Sequence, residues 1–314
     1  MSRPPFPFFV GCGRSGTTLV RALVDAHPDM AIPPESHFVV AEAPPRGEPF
    51  DAAALLDALA ASDRFALWGL DPGDVAAAVA GTAGYPDAVR AVFALWAERA
   101  GKPRYGDKTP GYVVHVPAIA RLFPEAVFVH VIRDGRDVAA SFLDVGWAAS
   151  AEEAARHWAL RVRRGRRGGR ALGPGRYHEL RYEDLVADPE PALRGVCDAV
   201  GLAFDPAMLD HRARADEVAR TTSHPGYHRH LAEPVRPDLR DWRSDLTPSQ
   251  QARVELVAGS LLAELGYPPS GARPGTGDRA AVAAQWLRWQ LHRTNKVLAP
   301  VRTSLAARRP ARPS

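Results

Sequence analysis

The segment Gly11-Cys-Gly-Arg-Ser-Gly-Thr-Thr18 constrains this chain more than any other. It sets glycine, four residues and glycine directly after the apolar run Phe6 to Val10. It then opens Thr17 to Ala26, where Leu19, Leu23 and Ala26 recur on one side at helical spacing. A short apolar run ending on glycine suits a strand buried on both faces. Strand, glycine loop and helix in that order make a concave site, where successive backbone N–H groups and the helix N-terminus face an anion.

A second unit of the same kind follows much later. Ala126 to Ile132 is apolar and β-branched, Arg133 to Arg136 is a polar turn, and Asp137 to Val145 resumes helical spacing. Between the two units, the Ala-rich segments 51–61 and 74–100 read as helices broken by glycine and proline. Tyr177 to Tyr182 reads as a strand, Pro189 to Val200 as a helix ended by Gly201, and Thr247 to Leu265 as a helix with Thr247 as N-cap and Pro248 at its first position. The expected fold class is α/β, a P-loop-type three-layer fold with a central, mainly parallel sheet flanked by helices. One domain is expected over 1–268, with a helical acceptor-side insertion at about 42–103. A Pro/Gly/Ser-rich linker over 269–279 and a basic amphipathic tail over 280–314, helical from Ala280 to Val301, complete the expected layout.

Composition narrows the setting. The chain has 314 residues, 46% hydrophobic, with no run of about 18 uncharged apolar residues that would span a membrane. The N-terminal apolar segment is too short for a signal peptide and runs straight into the glycine loop. Cys12 and Cys197 are the only cysteines, too few for a disulfide framework or a zinc cluster, so a reducing cytoplasm fits. The net charge of +4 is the work of the tail: residues 280 to 314 hold seven Lys or Arg and no acid, leaving 33 basic against 36 acidic residues elsewhere. The basic balance is therefore poor support for nucleic-acid binding.

The glycine loop lacks the lysine that a nucleoside triphosphate enzyme carries; that position is Thr17, and Arg14 supplies a cation inside the loop instead. Gly-Arg-Ser-Gly-Thr-Thr after a strand resembles the 5′-phosphosulfate loop of the sulfotransferases that use PAPS (3′-phosphoadenosine 5′-phosphosulfate) as donor. The resemblance covers about residues 6 to 268. It implies that Arg14, Ser15, Gly16, Thr17 and Thr18 contact the 5′ phosphate and sulfate.

In Val129-His-Val-Ile-Arg-Asp-Gly-Arg-Asp-Val-Ala-Ala-Ser141, Arg133 closes a strand and Ser141 follows eight residues on. An arginine engages phosphate through paired charge-assisted hydrogen bonds, and a hydroxyl adds a donor. The family resembled has a matching arginine and serine that recognise the 3′ phosphate. Arg136 is a candidate helper there, with Asp134 and Asp137 as caps of the turn. The resemblance also implies donor contacts for Tyr182 and for a basic residue in Arg240-Asp-Trp-Arg-Ser-Asp-Leu246, where Asp241 leaves the choice between Arg240 and Arg243 open.

Ala31-Ile-Pro-Pro-Glu-Ser-His-Phe38 follows the first helix and carries Glu35. Glu35 resembles the glutamate base of the protein-tyrosine and heparan-type sulfotransferases, suited to accept a proton from the attacking hydroxyl. The other family arrangement, a histidine two residues after a lysine, is excluded because that position in Gly106-Asp-Lys-Thr-Pro110 is Pro110. Lys108 matches a lysine at the donor's bridging region, placed to stabilise the leaving oxygen. His37 and His115 are candidate assistants, with a structural or acceptor-shaping role the favoured expectation for each. Direct in-line transfer with Glu35, Lys108 and Arg14 as the catalytic set requires no metal.

The acceptor is open: a glycan, a glycolipid, a secondary metabolite or a peptide tyrosine. Arg161 to Arg170 is expected to be a solvated helix face. The location expected is cytoplasmic, and the tail leaves open peripheral contact with the inner membrane face. A P-loop nucleotide kinase and a noncatalytic nucleotide-binding module are the alternative readings.

Overall fold

A computed structural model describes residues 3–210, 215, 218, 221 and 240–306, with 292–306 described by backbone alone. The chain divides into two compact units, one comprising Met1–Asp134 and Trp158–Asp241, the other Gly135–His157 and Trp242–Ser314.

The first unit is built on a parallel sheet. Its strands are β1 (Phe6–Gly11), β4 (Asp107–Lys108), β5 (Ala126–Ile132) and β6 (Tyr177–Arg181), in the order β4-β1-β5-β6, and a small parallel pair joins β2 (Met30–Ala31) to β3 (Arg104–Tyr105). Every residue of β1 and β5 is buried, as the continuous apolar runs require. Side chains alternate between two cores. Phe6, Phe8, Val10 and Phe128 pack on one side with Phe93 and Ile119, from helices Tyr85–Arg99 and Val116–Leu122. Phe9, Val129, Val131 and Leu180 pack on the other with Val20 and Leu23 of helix Thr17–Asp25 and Val196 of helix Pro189–Val200. This is the three-layer α/β fold, and each fully buried phenylalanine of β1 contributes about 1.5–3 kcal/mol through burial.

The Ala-rich stretch forms helices Ala52–Ala60, Pro72–Val79 and Tyr85–Arg99, with a short helix at Asp63–Ala66. Asp51 and Asp71 cap two of them by accepting from backbone amides at 2.8–3.2 Å. Beneath them, Phe38, Phe65, Trp68 and Phe93 form an aromatic cluster with ring centroids 5.0–6.1 Å apart. Phe93 also packs on Phe6 of β1, so these helices share a core with the sheet.

Tyr182, expected to end a strand, instead opens helix Tyr182–Ala187. Glu183 and Asp184 in its first turn favour a helix N-terminus at this point. The arginine-rich segment lies on helix Ala151–Arg170, and its solvated face holds for Arg163, Arg164, Arg167 and Arg170 only. Arg166 is buried and paired with Glu179 at 2.9 Å. The interspersed glycines have a packing reason: a Cβ on Gly165 would meet Val113 at 2.4 Å, and one on Gly169 would meet the Tyr177 ring at 2.0 Å.

The second unit is helical, with elements Gly135–Asp144, Trp242–Asp245, Pro248–Glu264 and Thr276–Ala306. Thr247 and Gln250 form a reciprocal capping box at the start of Pro248–Glu264. The Trp242 ring has the guanidinium of Arg136 at 3.8 Å and that of Arg243 at 4.4 Å. The linker expected over 269–279 is shorter than anticipated, because the last helix begins at Thr276. Asp278, in its first turn, accepts from the Gly275 amide at 2.9 Å and from Arg253 at 2.9 Å, which anchors the helix earlier than composition suggests. From residue 307 on, the expected basic tail lies outside the described residues.

Candidate active site

All four strands of the sheet are parallel, so their carboxyl ends share one edge, and the neighbours of β1 are reached on opposite sides of it. In open α/β sheets such an edge is where ligands bind. Each strand hands the chain to residues singled out from the sequence: the glycine loop after β1, Lys108 at the end of β4, Arg133 after β5 and Tyr182 after β6.

The loop turns tightly. The Ser15 amide donates to the Cys12 carbonyl at 3.2 Å, and Arg14 and Gly16 take φ angles of 68° and 89°. Glycine is required at 16 on two counts: the left-handed backbone, and a Tyr182 ring lying 2.2 Å from where a Cβ would stand. At Gly11 a Cβ would stand 2.7 Å from the Val131 carbonyl, so this residue lets β5 approach. Gly16 caps helix Thr17–Asp25 without a side-chain acceptor, which leaves first-turn amides for another partner. Ser15 Oγ is fully buried and has no hydrogen-bond partner among the described residues. An orphaned hydroxyl beside uncapped amides fits an anionic group held by the loop. Thr17 and Thr18 are buried beneath it, and Arg14 is half-buried. Cys12 is buried too, and burial pushes its thiol up to about 12, so it stays protonated.

Arg133 is 9% exposed, and its guanidinium lies 4.4 Å from the centre of the Tyr182 ring. Its carbonyl accepts from Trp158 Nε1 at 3.1 Å, and the next amide, of Asp134, donates to Glu183 at 2.8 Å. Gly16, Tyr182 and Arg133 are thus in continuous contact. Arg240, also in the first unit, is half-buried. Ser141 and Arg243 belong to the second unit, where Ser141 is buried on helix Gly135–Asp144. Arg136 is buried there as well, bonded to Glu255 at 3.0 Å and the Pro268 carbonyl at 2.7 Å, while Asp137 accepts from the Trp242 amide at 2.9 Å.

Parallel pairing sets Lys108 opposite Phe9, two residues before the glycine loop. Its side chain is fully buried, and Nζ donates to Glu35 Oε1 at 2.7 Å. Burial works to raise the Glu35 carboxyl, but the Lys108 charge and the hydrogen bonds from His37 and Lys108 hold it well below the usual carboxylate range. Burial lowers Lys108 from its ordinary value against the pull of Glu35. Both therefore stand as an ion pair.

Four groups whose part the sequence reading missed surround this pair and its loop. Thr109 Oγ1 donates to Asp107 Oδ2 at 3.1 Å and accepts from the Ser36 amide at 3.0 Å, fixing the peptide that follows Glu35. The Tyr112 hydroxyl lies 3.0 Å from Ser36 Oγ and accepts from the Val39 amide at 3.0 Å. Asp107 is fully buried, and burial lifts its carboxyl to about 6. Arg64, from the helical insertion, reaches His37 Nε2 at 2.9 Å, and the same nitrogen lies 3.1 Å from Glu35 Oε2. That nitrogen either accepts from Arg64 or donates to Glu35, not both. His37 takes φ 49° to do so. His115 is exposed, and its electrostatic neighbour is Arg164 rather than Glu35 or Lys108. Among the described residues, no group of three or more His, Cys, Asp or Glu side chains is placed to hold a metal ion.

A parallel α/β sheet whose carboxyl edge carries a glycine loop with uncapped amides, two buried cations and, beside one of them, a carboxylate places the chain among P-loop-type α/β proteins with a candidate anion site. More narrowly, the chain belongs to the Sulfotransferase family, whose sequence model matches residues 5–206, and it is a sulfotransferase. The sulfotransferase domain of the Synechococcus olefin synthase superposes with a TM-score of 0.63 at 25% identity, covering 85% of this chain and 97% of that one. Nodulation protein NoeE of Sinorhizobium fredii is 28% identical over 310 residues, 85% of this chain and 67% of its own length. Protein-tyrosine sulfotransferase A of Caenorhabditis elegans is 25% identical over 289 residues, 90% of this chain and 72% of its own. Family membership sets aside the kinase and noncatalytic alternatives.

Proposed function

We propose that this sulfotransferase takes PAPS as donor and a hydroxyl-bearing molecule as acceptor, with Glu35 as general base. The observation that carries the proposal is the Lys108–Glu35 contact of 2.7 Å on the strand beside the glycine loop. When bound, PAPS supplies the sulfuryl group and, as its leaving group, adenosine 3′,5′-bisphosphate.

The chain's own residues divide the work. Ser15 Oγ, Arg14 and the amides of Gly16, Thr17 and Thr18 bind the 5′ side, where the loop's positive potential is concentrated. Arg133, held rigid against Tyr182, binds the 3′ phosphate as a charge-assisted partner. Donor contacts of Ser141, Arg240 and Arg243 rest on the resemblance alone. Lys108 Nζ offers its protons to the oxygen that gains negative charge as the bond to sulfur breaks. Glu35 accepts the hydroxyl proton as the acceptor oxygen bonds to sulfur. These two roles are coupled, because a carboxylate held low by Lys108 is a weak base. Moving the Lys108 hydrogen bonds away restores the basicity of Glu35 where the acceptor's proton must go. A tyrosine phenol, suggested by the name of one relative, is among the acceptors this arrangement serves.

The test is transfer of radiolabelled sulfate from PAPS to a panel of phenolic, glycan and lipid hydroxyls by the wild-type chain and by Glu35→Gln. Label appears in an acceptor with wild type and falls by at least about a hundredfold in the variant, as loss of a general base requires, while bisphosphate binding is retained. Undiminished transfer by Glu35→Gln removes Glu35 as the base.

A further inference from the structure

Over residues 276–291, helix Thr276–Ala306 turns three large hydrophobic side chains outward, which is unusual for a helix packed in water. The side by which it is held is anchored by polar contacts. Asp278 accepts from Arg253 Nε at 2.9 Å, and Gln285, only 8% exposed, accepts from Arg156 Nε at 2.8 Å. The Arg156 guanidinium also lies 5.5 Å from the Trp289 ring. The outward side is apolar: Trp286, Leu287 and Leu291 are 48%, 55% and 58% exposed. They are three of the six large hydrophobic residues that stand exposed among the described residues. Arg279 and Arg288 are exposed beside them.

We propose that this outward side is a docking surface for an anionic lipid bilayer, with the helix lying in the plane of the interface. Three observations select that occupant. First, the charge is of one sign, since residues 280 to 314 hold seven Lys or Arg and no acid, and the acid just before them, Asp278, is engaged by Arg253. Anionic headgroups attract such a segment, whereas the rest of the chain, with 33 basic and 36 acidic residues, offers a second copy only a weak field. Second, tryptophan beside leucine and arginine matches the polar-apolar boundary of a bilayer, where an indole buries its body and keeps its N–H wet. Third, no helix among the described residues is long and apolar enough to cross a membrane, so the contact is superficial. The surface lies outside the residues assigned to donor and acceptor chemistry, so it stands or falls independently of that assignment.

The test uses the full chain and sedimentation with vesicles of phosphatidylcholine alone or mixed with phosphatidylglycerol. Wild type pellets with the mixed vesicles, less so at about 0.5 M salt, where the screening length falls to a few ångströms. The triple variant Trp286→Ser, Leu287→Ser, Leu291→Ser binds at least about tenfold more weakly, because the apolar area that inserts has gone. Trp286→Phe, which preserves the fold and the apolar surface, keeps vesicle binding but loses part of the tryptophan quenching by brominated lipid seen in wild type. No pelleting of wild type with anionic vesicles overturns the proposal, as does equal quenching in wild type and Trp286→Phe. A dimer in sedimentation velocity that the triple variant dissolves also overturns it, assigning the face to a second copy of the chain.

Discussion

Nζ of Lys108 lies 2.7 Å from Oε1 of Glu35, a contact made across a sequence separation of 73 residues. Lys108 is delivered by a strand and is fully buried; Glu35 comes from a loop and is 26% exposed. The protein thus keeps its proposed acid stabiliser and its proposed base as one ion pair.

A pH dependence follows. The Lys108 charge and the hydrogen bonds to Glu35 overcome burial and depress its carboxyl, so the acidic limb of kcat/KM lies below the ordinary carboxylate range near 4.3. In Lys108→Met, burial remains and its counterweight is gone, so the limb moves upward in pH while kcat falls. pH-rate profiles of the two proteins check this. A limb that stays in place in Lys108→Met contradicts the coupling.

Asp107 carries the opposite sign. Its folded-state value is lifted to about 6 by burial, above that of the unfolded chain near 3.9. Its contribution to stability is therefore complete below about pH 4 and is lost as pH rises through about 6. Thermal unfolding of Asp107→Asn, which keeps an acceptor for Thr109, lacks that slope between pH 4 and 7; an identical slope in both proteins refutes the assignment.

Thr109→Val leaves the Ser36 amide without its acceptor and frees the Glu35 loop. The cost in stability is about 1–3 kcal/mol, and kcat falls about tenfold with the donor KM nearly unchanged. Thr109→Ser restores both. Steady-state kinetics beside thermal unfolding separates this positioning effect from general destabilisation.

Gly16→Ala tests the loop. The substitution forces a side chain into a left-handed backbone and against the Tyr182 ring 2.2 Å away. Destabilisation of about 1–3 kcal/mol is expected, with loss of donor binding; wild-type stability in this variant contradicts the observed contact.

The fold was legible where local pattern decides it. The two-face burial of Phe6–Gly11 and Ala126–Ile132 follows from unbroken apolar runs, and the Thr247 N-cap follows from a hydroxyl directly before Pro248, with the return bond from Gln250 added by the structure. Glu35 and Lys108 were each visible through the motifs around them, but their hydrogen bond was not, because it depends on which strands pair. Asp107, Thr109 and Tyr112 escaped for the same reason: each looks like ordinary strand or turn chemistry until the loop 35–39 is laid against them. Arg64 needed the placement of an entire helical insertion. The early start of the last helix depended on Asp278 meeting Arg253, a contact across 25 residues that composition does not carry.

The central claim is that the loop of Arg14 to Thr18 and Arg133 hold the two phosphate ends of a 3′-phosphorylated donor. Calorimetric titration with adenosine 3′,5′-bisphosphate, beside AMP and ATP, tests it most directly in wild type and Arg133→Ala. The account predicts micromolar binding of the bisphosphate, far weaker binding of AMP and ATP, and loss of the preference in Arg133→Ala. Equal affinity of wild type for AMP and the bisphosphate would contradict it.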